Sequence, residues 1–220
     1  MTALTDVILA SASPRRVELL RSLGFRVDVR PTQFPEDDVP GLTPRELAAH
    51  HSAAKCNAAL AALAASERAA RAGICTAPAP GVVVAADTVV DLDGRALGKP
   101  HDIAEARAML AALSGREHLV HTALDLAFTG EGRRAAFVET AAVRFFDLDD
   151  ATVRAYAGTR DGLDKAGAYG IQGLGAALVE RIDGDFYAVM GFPIGRFVRT
   201  LATFGFAPPA FADAFAGMPA

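Results

Sequence analysis

The sequence predicts an α/β fold with a mixed β-sheet, and three observations predict it. Helix-like and strand-like segments alternate in the first half of the chain, which is typical of parallel strands joined by helices. Hairpin turns dominate the second half, which indicates antiparallel strands. The length of 220 residues suits one domain better than two.

The first strand and helix follow one another closely. Residues 7–10 form a short β-branched apolar run, which predicts a buried strand. Ser13 is a favourable N-cap, and Pro14 suits the first helical position because its missing N–H would be unpaired there. Gly24 predicts the end of this helix, and residues 25–29 predict a second strand.

A long helix and a buried strand come next. Thr43 and Glu46 form a capping box that opens an Ala-rich helix, which we expect to end at Arg71. Residues 77–81 predict an extended surface connector. The apolar run 82–86 then predicts a fully buried strand.

The second half is predicted to consist of hairpins, helices and one glycine-rich loop. We expect one domain over residues 1–207 and a loosely held Ala/Pro-rich tail over residues 208–220. The predicted elements are a turn at Asp93-Gly94, a helix from Asp102 to Ser114, strands 118–128 and 134–146, a helix capped by Asp149 or Asp150 to Ala157, a glycine-rich loop 162–175, a hairpin pairing 176–182 with 186–190, and a last helix from Pro193.

The composition is that of a folded protein with an acidic balance. Hydrophobic residues make up 51% of the chain and charged residues 22%, which excludes overall disorder. The net charge is −4, so we expect no broad electrostatic binding to nucleic acid or to an anionic membrane. A phosphate ligand would therefore need a local cluster of cations, helped by a metal.

The sequence also predicts a cytoplasmic location. Residues 1–9 carry no basic leader, and the most apolar run is too short to cross a bilayer. Cys56 and Cys75 are too far apart for a CxxC motif, so we expect two unreactive thiols rather than a disulfide framework.

The run Ser11-Ala12-Ser13-Pro14-Arg15-Arg16 is the first candidate site. A helix N-terminus presents free N–H groups and a positive dipole end, which attract anions. Arg15 and Arg16 in the first turn would oppose that dipole unless an anion lies there. Two interpretations stay open, a phosphate grip by both arginines and a pair of solvated surface side chains.

Asp87, Thr88 and two lysines are the next candidates. Asp87 follows a predicted buried strand, where ligands of α/β folds gather, and a carboxylate there can bind a metal or accept a proton from water. The alternative is a capping aspartate. Lys55 and Lys99 are mobile point charges suited to phosphate oxygens, or alternatively exposed lysines.

The glycine-rich loop is the last candidate. Its five glycines, from Gly162 to Gly175, allow a backbone to approach a ligand closely. Gln172 offers both a donor and an acceptor, as a nucleobase edge requires, although a tight irregular loop is the alternative. The spacing fits neither a P-loop nor a Rossmann motif.

The histidines are not predicted to form a metal set. His50 and His51 are adjacent on a helix and should diverge. His118 and His121 have opposite parity on a strand and should lie on opposite faces. We therefore expect structural or exposed histidines.

Together these segments resemble the Maf family of nucleoside triphosphate pyrophosphatases, over nearly the whole chain from Leu9 to Phe206. The order of the motifs makes chance agreement very rare. The runs that carry the resemblance are residues 9–16, 85–90, 98–100, 113–115, 164–173, 183–185 and 189–191.

The resemblance implies a fold and an activity. The fold would be an elongated mixed sheet with flanking helices and a deep cleft between two lobes, as in inosine triphosphatases. The activity would be hydrolysis of a nucleoside triphosphate to the monophosphate and pyrophosphate with Mg²⁺ or Mn²⁺, by a homodimer. It also implies a link to cell-division arrest. Arg15, Thr88 and Gln172 match the members that act on dTTP and UTP.

The resemblance also implies roles for individual residues. Catalytic residues would be Asp87, Lys55 and Lys99, and the metal would be held by Glu36 and Asp87, with Asp37 as the alternative to Glu36. Substrate would be bound by Ser11, Arg15, Arg16, Thr88 and Gln172.

The chain departs from the family pattern at two places. His51 and Cys56 flank Lys55 where the family usually has an apolar residue upstream and an alanine after the lysine. Residues 72–81 form an insert with no evident functional counterpart.

Two other functions fit the same residues. One is a nucleotide-binding regulator of septum formation that needs no turnover, and the other is a phosphatase that removes the terminal phosphate. An analysis of the reaction products would separate all three.

Overall fold

The computed structural model describes residues 2–37, 39–71, 81–129 and 132–211. Cys75, most of the predicted connector and the tail from residue 212 lie outside the described residues. The strands are β1 Thr2–Ala3, β2 Asp6–Leu9, β3 Arg26–Val29, β4 Val82–Leu92, β5 Arg95–Leu97, β6 Glu117–Phe128, β7 Arg134–Phe145, β8 Val179–Asp183 and β9 Phe206–Ala207. The helices are α1 Pro14–Ser22, α2 Pro44–Arg71, α3 Ile103–Leu113, α4 Asp150–Gly158, α5 Phe186–Val189 and α6 Ile194–Thr203, with 3₁₀ turns at Ala166–Ala168, Gly173–Leu178 and Pro209–Phe211.

The main sheet has seven strands and is mixed, which confirms the predicted α/β class. Its order is β3-β2-β4-β6-β7-β8, with β5 paired to β4. Strand β2 is parallel to both β3 and β4, whereas the pairs from β4 to β8 are antiparallel. Strands β1 and β9 form a separate parallel pair. No helix among residues 2–37, 39–71, 81–129 and 132–211 is long and apolar enough to span a membrane.

The helices begin where the capping residues predict. Glu46 accepts from the Thr43 N–H at 2.9 Å, which completes the capping box of α2. Asp102 and Asp149 each accept from the backbone N–H three residues on, and so cap α3 and α4. Ser13 precedes α1 as predicted, but its side chain makes no capping hydrogen bond.

Two predictions about strands were wrong, one on where a strand ends and one on a hairpin. The apolar run 82–86 predicted a strand that ends before Asp87, yet β4 continues to Leu92 because residues 89–90 remain apolar and pair with β6. The predicted hairpin of 176–182 with 186–190 does not form. Asp185 instead accepts from the Tyr187 N–H at 2.8 Å and caps the short helix α5.

Two hydrophobic cores lie on one face of the sheet. The alternate residues Val82, Val84 and Ala86 belong to the first core, whereas Val90 and Leu92 belong to the second. Strand β6 divides in the same way, with Leu124, Leu126 and Phe128 in the first core and Val120 in the second. The resemblance implied two lobes, and the two cores lie on either side of Thr88 along β4.

Helix α2 covers the other face of the sheet. Its Cys56 and Ala59 pack against Ile8, Val83 and Ala85. Burial raises the pKa of the Cys56 thiol to about 12, so this cysteine is an unreactive core residue, as predicted.

A gap in the edge of β4 opens the cleft. Strand β2 pairs with β4 only as far as Val84, and β5 begins its pairing at Val90. In the part of the chain that the structure describes, residues 85–89 therefore have no strand on that side. The cleft lies at this gap, beyond the carboxyl end of β2, where ligands of α/β proteins gather.

Part of the predicted tail is packed against the domain. Pro208 is buried, and the N–H of Ala210 donates to the Leu23 carbonyl at 3.0 Å. The tail beyond residue 211 lies outside the described residues.

Candidate active site

The cleft has a volume of about 610 Å³ and brings the predicted site residues together. Segments that are far apart in sequence meet there because the gap in β4 faces the start of α1, helix α2 and the glycine-rich loop. The predicted residues that line it are Ser11, Arg15, Arg16, Glu36, Lys55, Asp87, Thr88, Lys99 and Gln172.

Two lysines join the two carboxylates. Lys55 Nζ donates to Asp87 Oδ1 at 2.6 Å and to Glu36 Oε1 at 2.5 Å. Lys99 Nζ donates to Glu36 Oε2 at 2.6 Å. The Lys55 and Asp87 side chains are buried, whereas Lys99 is exposed at the mouth of the cleft. Glu36, rather than the alternative Asp37, therefore presents its carboxylate to this cluster.

His51 is a site residue that the sequence reasoning missed. Its Nδ1 lies 3.3 Å from Asp87 Oδ2, and its Nε2 lies 3.0 Å from the Asp37 carbonyl oxygen. Both neighbours are acceptors, which favours the protonated ring because it can donate to both, and the hydrogen bond to Asp87 raises the pKa of His51. The available signal was its spacing of four residues from Lys55, which places both side chains on one face of α2.

The two carboxylates are held in their charged form. Burial alone would raise the pKa of Asp87, but the hydrogen bond from His51 and the charges of Lys55 and Arg16 outweigh it and lower the pKa. Burial likewise opposes the charge of Glu36, and its lysine partners lower the pKa. Both groups are therefore acceptors at neutral pH.

Arg16 fills the gap at the edge of β4. Its Nη1 donates to the Ala86 carbonyl at 2.8 Å and to Ser11 Oγ at 3.0 Å. Its Nε donates to the Gly191 carbonyl at 2.9 Å, and its Nη2 donates to Thr88 Oγ1 at 3.2 Å. These bonds use four of the five N–H groups of a guanidinium, so Arg16 is rigid and retains one donor for a ligand.

Arg15 is held far less firmly than Arg16. Its side chain is 31% exposed, and its ion pair with Asp164 is long at 3.9 Å. Both arginines line the cleft, but Arg15 is the one that can turn toward an anion without breaking short hydrogen bonds.

We expect Arg15→Ala and Arg16→Ala to differ in their effect on stability. Both should weaken triphosphate binding more than monophosphate binding, because a guanidinium makes charge-assisted bonds to phosphate oxygens. Arg16→Ala should also destabilise the fold by about 1–3 kcal/mol, since it leaves buried carbonyls unpaired. Calorimetry with UTP and UMP, together with thermal unfolding, measures both effects. Equal losses for the two ligands would contradict the phosphate assignment.

The glycine-rich loop packs against the sheet on the Thr88 side of β4. Gly167 has φ +69°, and a Cβ there would lie 2.9 Å from Val90 Cγ2, so only glycine allows this close approach. Gln172 lies exposed at the rim of the cleft. Tyr169 is buried and receives its support from His118, whose Nε2 lies 2.8 Å from the tyrosine oxygen.

His118 and His121 lie on opposite faces of β6, as their parity predicts. His118 contacts Tyr169 and Phe145, whereas His121 contacts Asp91 and Thr140. Both are buried structural histidines.

We expect His118 to make folding pH-dependent. Burial lowers its pKa from 6.5 to about 4, so between these values the unfolded chain binds the proton and the folded chain does not. Stability therefore falls as the pH is lowered through this window, by about 2 kcal/mol between pH 7 and pH 5. Urea unfolding between pH 7 and pH 5 measures this pH dependence in the wild type and in His118→Gln. His101→Gln is the control, because His101 is exposed. An equal pH dependence in the wild type and His118→Gln would show that His118 is not responsible.

The fold and the cleft belong to a recognised class. Residues 6–204 match the model of the family described as Maf-like protein, and the chain belongs to that family, which confirms the resemblance found in its motifs.

Relatives with assigned names match nearly the whole chain. It is 45% identical over 202 residues to the dTTP/UTP pyrophosphatase of Thermus thermophilus, and the match covers 92% of this chain and 96% of that protein. It is 40% identical over 200 residues to the dTTP/UTP pyrophosphatase of Carboxydothermus hydrogenoformans, which covers 91% and 99% respectively. Among solved structures, the Ham1 protein of Staphylococcus aureus matches 80% of both chains at 16% identity, with a TM-score of 0.42.

Proposed function

We propose that this protein hydrolyses dTTP, UTP or a modified pyrimidine nucleoside triphosphate to the monophosphate and pyrophosphate. The names of its relatives support the substrate class. The observation that carries the proposal is Asp87, a buried and ionised carboxylate that lies in a cleft ringed by cations. A site of this composition suits a polyphosphate and an attacking water.

Asp87 would orient the water that attacks the α-phosphorus. Lys55 donates to one carboxylate oxygen and His51 to the other, which fixes the plane of the group. A carboxylate has about four lone-pair positions, so sites for accepting from a water remain. Phosphoryl transfer depends more on positioning and charge stabilisation than on proton abstraction, so a carboxylate of low pKa suits this task.

The cations would stabilise the pyrophosphate leaving group. Lys55, Lys99 and Arg15 line the same cleft, and the exposed Lys99 and the half-buried Arg15 can move onto phosphate oxygens. Negative charge grows on the bridging oxygen as the bond to the α-phosphorus breaks. Once these donors contact the bound phosphates, they stabilise that charge and lower the barrier.

Glu36 and Asp87 fit a divalent cation. Both present carboxylate oxygens to a single ammonium group, Lys55 Nζ, so the two carboxylates are close together, and oxygen ligands suit Mg²⁺ and Mn²⁺. The described part of the chain has no group of three or more His, Cys, Asp or Glu side chains suited to a metal, so phosphate oxygens and water would complete the coordination. When bound, the ion would neutralise charge on the phosphate oxygens.

A product analysis tests this proposal. The protein is incubated with UTP, dTTP, CTP and GTP in the presence of Mg²⁺ or Mn²⁺, and the products are separated by anion exchange. We expect monophosphate and pyrophosphate, formed fastest from UTP and dTTP. Orthophosphate with a diphosphate would favour the phosphatase, and binding without products would favour the regulator. The homodimer, the cytoplasmic location and the link to cell-division arrest remain predictions.

A further inference from the structure

Two threonines interrupt the apolar face of the sheet between its two cores. Thr88 of β4 lies opposite Thr122 of β6 in the strand register. Thr122 is completely buried, whereas Thr88 lines the cleft. Thr122 therefore cannot reach a ligand itself and has to act through Thr88.

The hydrogen bonds of these two hydroxyl groups can run in one direction only. Thr122 Oγ1 lies 2.7 Å from the Ala188 carbonyl oxygen, which has no proton, so Thr122 donates. The Oγ1 atoms of Thr88 and Thr122 are 2.9 Å apart. Because the single proton of Thr122 is already used, the proton between these oxygens comes from Thr88.

Thr88 is left as an acceptor toward the cleft. Its oxygen has two lone pairs, and Arg16 Nη2 donates to one of them at 3.2 Å. One lone pair remains, with no proton beside it. A ligand group that faces Thr88 must therefore be a donor, and an acceptor in that place would be repelled.

Thr88 lies on the side of β4 opposite to the charged cluster. Successive side chains of a strand point to opposite faces, so Asp87 faces Lys55 whereas Thr88 faces away from it. On the Thr88 side the glycine-rich loop packs against Val90 and brings Gln172 to the same cleft. Phosphates held by the lysines would place the base on this side.

We propose that Thr122 is a positioning residue for base selection, which holds Thr88 as an acceptor for the ring N3–H of uracil or thymine. Cytosine carries a lone pair at N3 and would be repelled there. This inference rests on the proposed function, because it assumes that a pyrimidine triphosphate occupies the cleft.

The test compares kcat/KM for UTP and CTP in the wild type, Thr122→Val and Thr122→Ser. Valine removes the acceptor, so the proton of Thr88 becomes available to cytosine N3, and the UTP:CTP ratio should fall about tenfold or more. Serine keeps both the acceptor and the donor, and should keep the ratio. Thr129→Val is the matched control, because the Thr129 hydroxyl also donates to a carbonyl, that of Gly81, outside the cleft.

An unchanged UTP:CTP ratio in Thr122→Val would overturn the inference. So would a change confined to the UTP:dUTP ratio, since Thr88 would then face a sugar hydroxyl. If Thr122→Val does not fold, the wild type is assayed with N3-methyl-UTP. We expect at least about a hundredfold lower kcat/KM than with UTP, because the analogue lacks the donor, and equal rates would overturn the inference.

The assays give different results when the role of Thr122 is wrong and when the proposed function is wrong. Pyrophosphate formed from UTP with an unchanged ratio contradicts only the role of Thr122. No pyrophosphate from any nucleotide contradicts the proposed function itself.

Discussion

Asp87→Asn is expected to lower kcat for UTP hydrolysis at least about a hundredfold while the protein stays folded. Asparagine has nearly the same shape but carries no charge, so it binds a divalent cation far more weakly and is a poorer acceptor for an attacking water. The measurement is steady-state kinetics with saturating Mn²⁺, together with circular dichroism. KM should change less than kcat if the residue acts mainly on the water.

The matched control for this experiment is Asp91→Asn. Asp91 lies on the same face of β4 as Asp87 but outside the cleft, where it contacts His121 and the Gly94 N–H. Its replacement should leave kcat within a few-fold of the wild type. Near wild-type turnover by Asp87→Asn would contradict the role assigned to Asp87.

Lys55→Met is expected to remove activity and to destabilise the fold together. Lys55 and Asp87 form a buried pair, and without Lys55 the Asp87 carboxylate keeps only part of its compensation, from His51 and Arg16. We therefore expect a loss of up to about 3–5 kcal/mol. Glu36 would also lose one of its two lysine partners. Urea unfolding and UTP turnover measure the two effects.

A double variant shows whether this cost arises from the unpaired charge. Lys55→Met combined with Asp87→Asn should be more stable than Lys55→Met alone, because the carboxylate that lost its lysine partner is gone. Arg68→Met, on the exposed surface of the same helix, should change stability by no more than about 0.5 kcal/mol. If the losses in the free energy of unfolding of Lys55→Met and Asp87→Asn simply add in the double variant, the buried pair is not the cause of the cost.

The helices were predictable from sequence because their ends carry local signals. The capping box at Thr43 and Glu46 located the start of α2, and Asp102 and Asp149 located the starts of α3 and α4. The length of β4 was not predictable in the same way. Asp87 and Thr88 look like the end of a strand, but pairing with β6 carries the strand through them.

The site residues were predictable, but their partners were not. Motif similarity identified Asp87, Lys55 and Glu36, whose convergence depends on the fold as a whole. His51 was missed because its spacing of four residues from Lys55 points to the site only when Lys55 is known to face Asp87. Thr122 was missed because threonine is common in apolar strands. Its proposed role depends on the strand register that places it opposite Thr88.

The central claim is that water attacks the α-phosphorus of the nucleotide, and isotope labelling tests it most directly. UTP is hydrolysed in H₂¹⁸O, and both products are analysed by mass spectrometry. The account predicts one ¹⁸O atom in UMP and none in pyrophosphate, since the new bond forms at the α-phosphorus. Label in pyrophosphate with unlabelled UMP, or release of labelled orthophosphate, would contradict it.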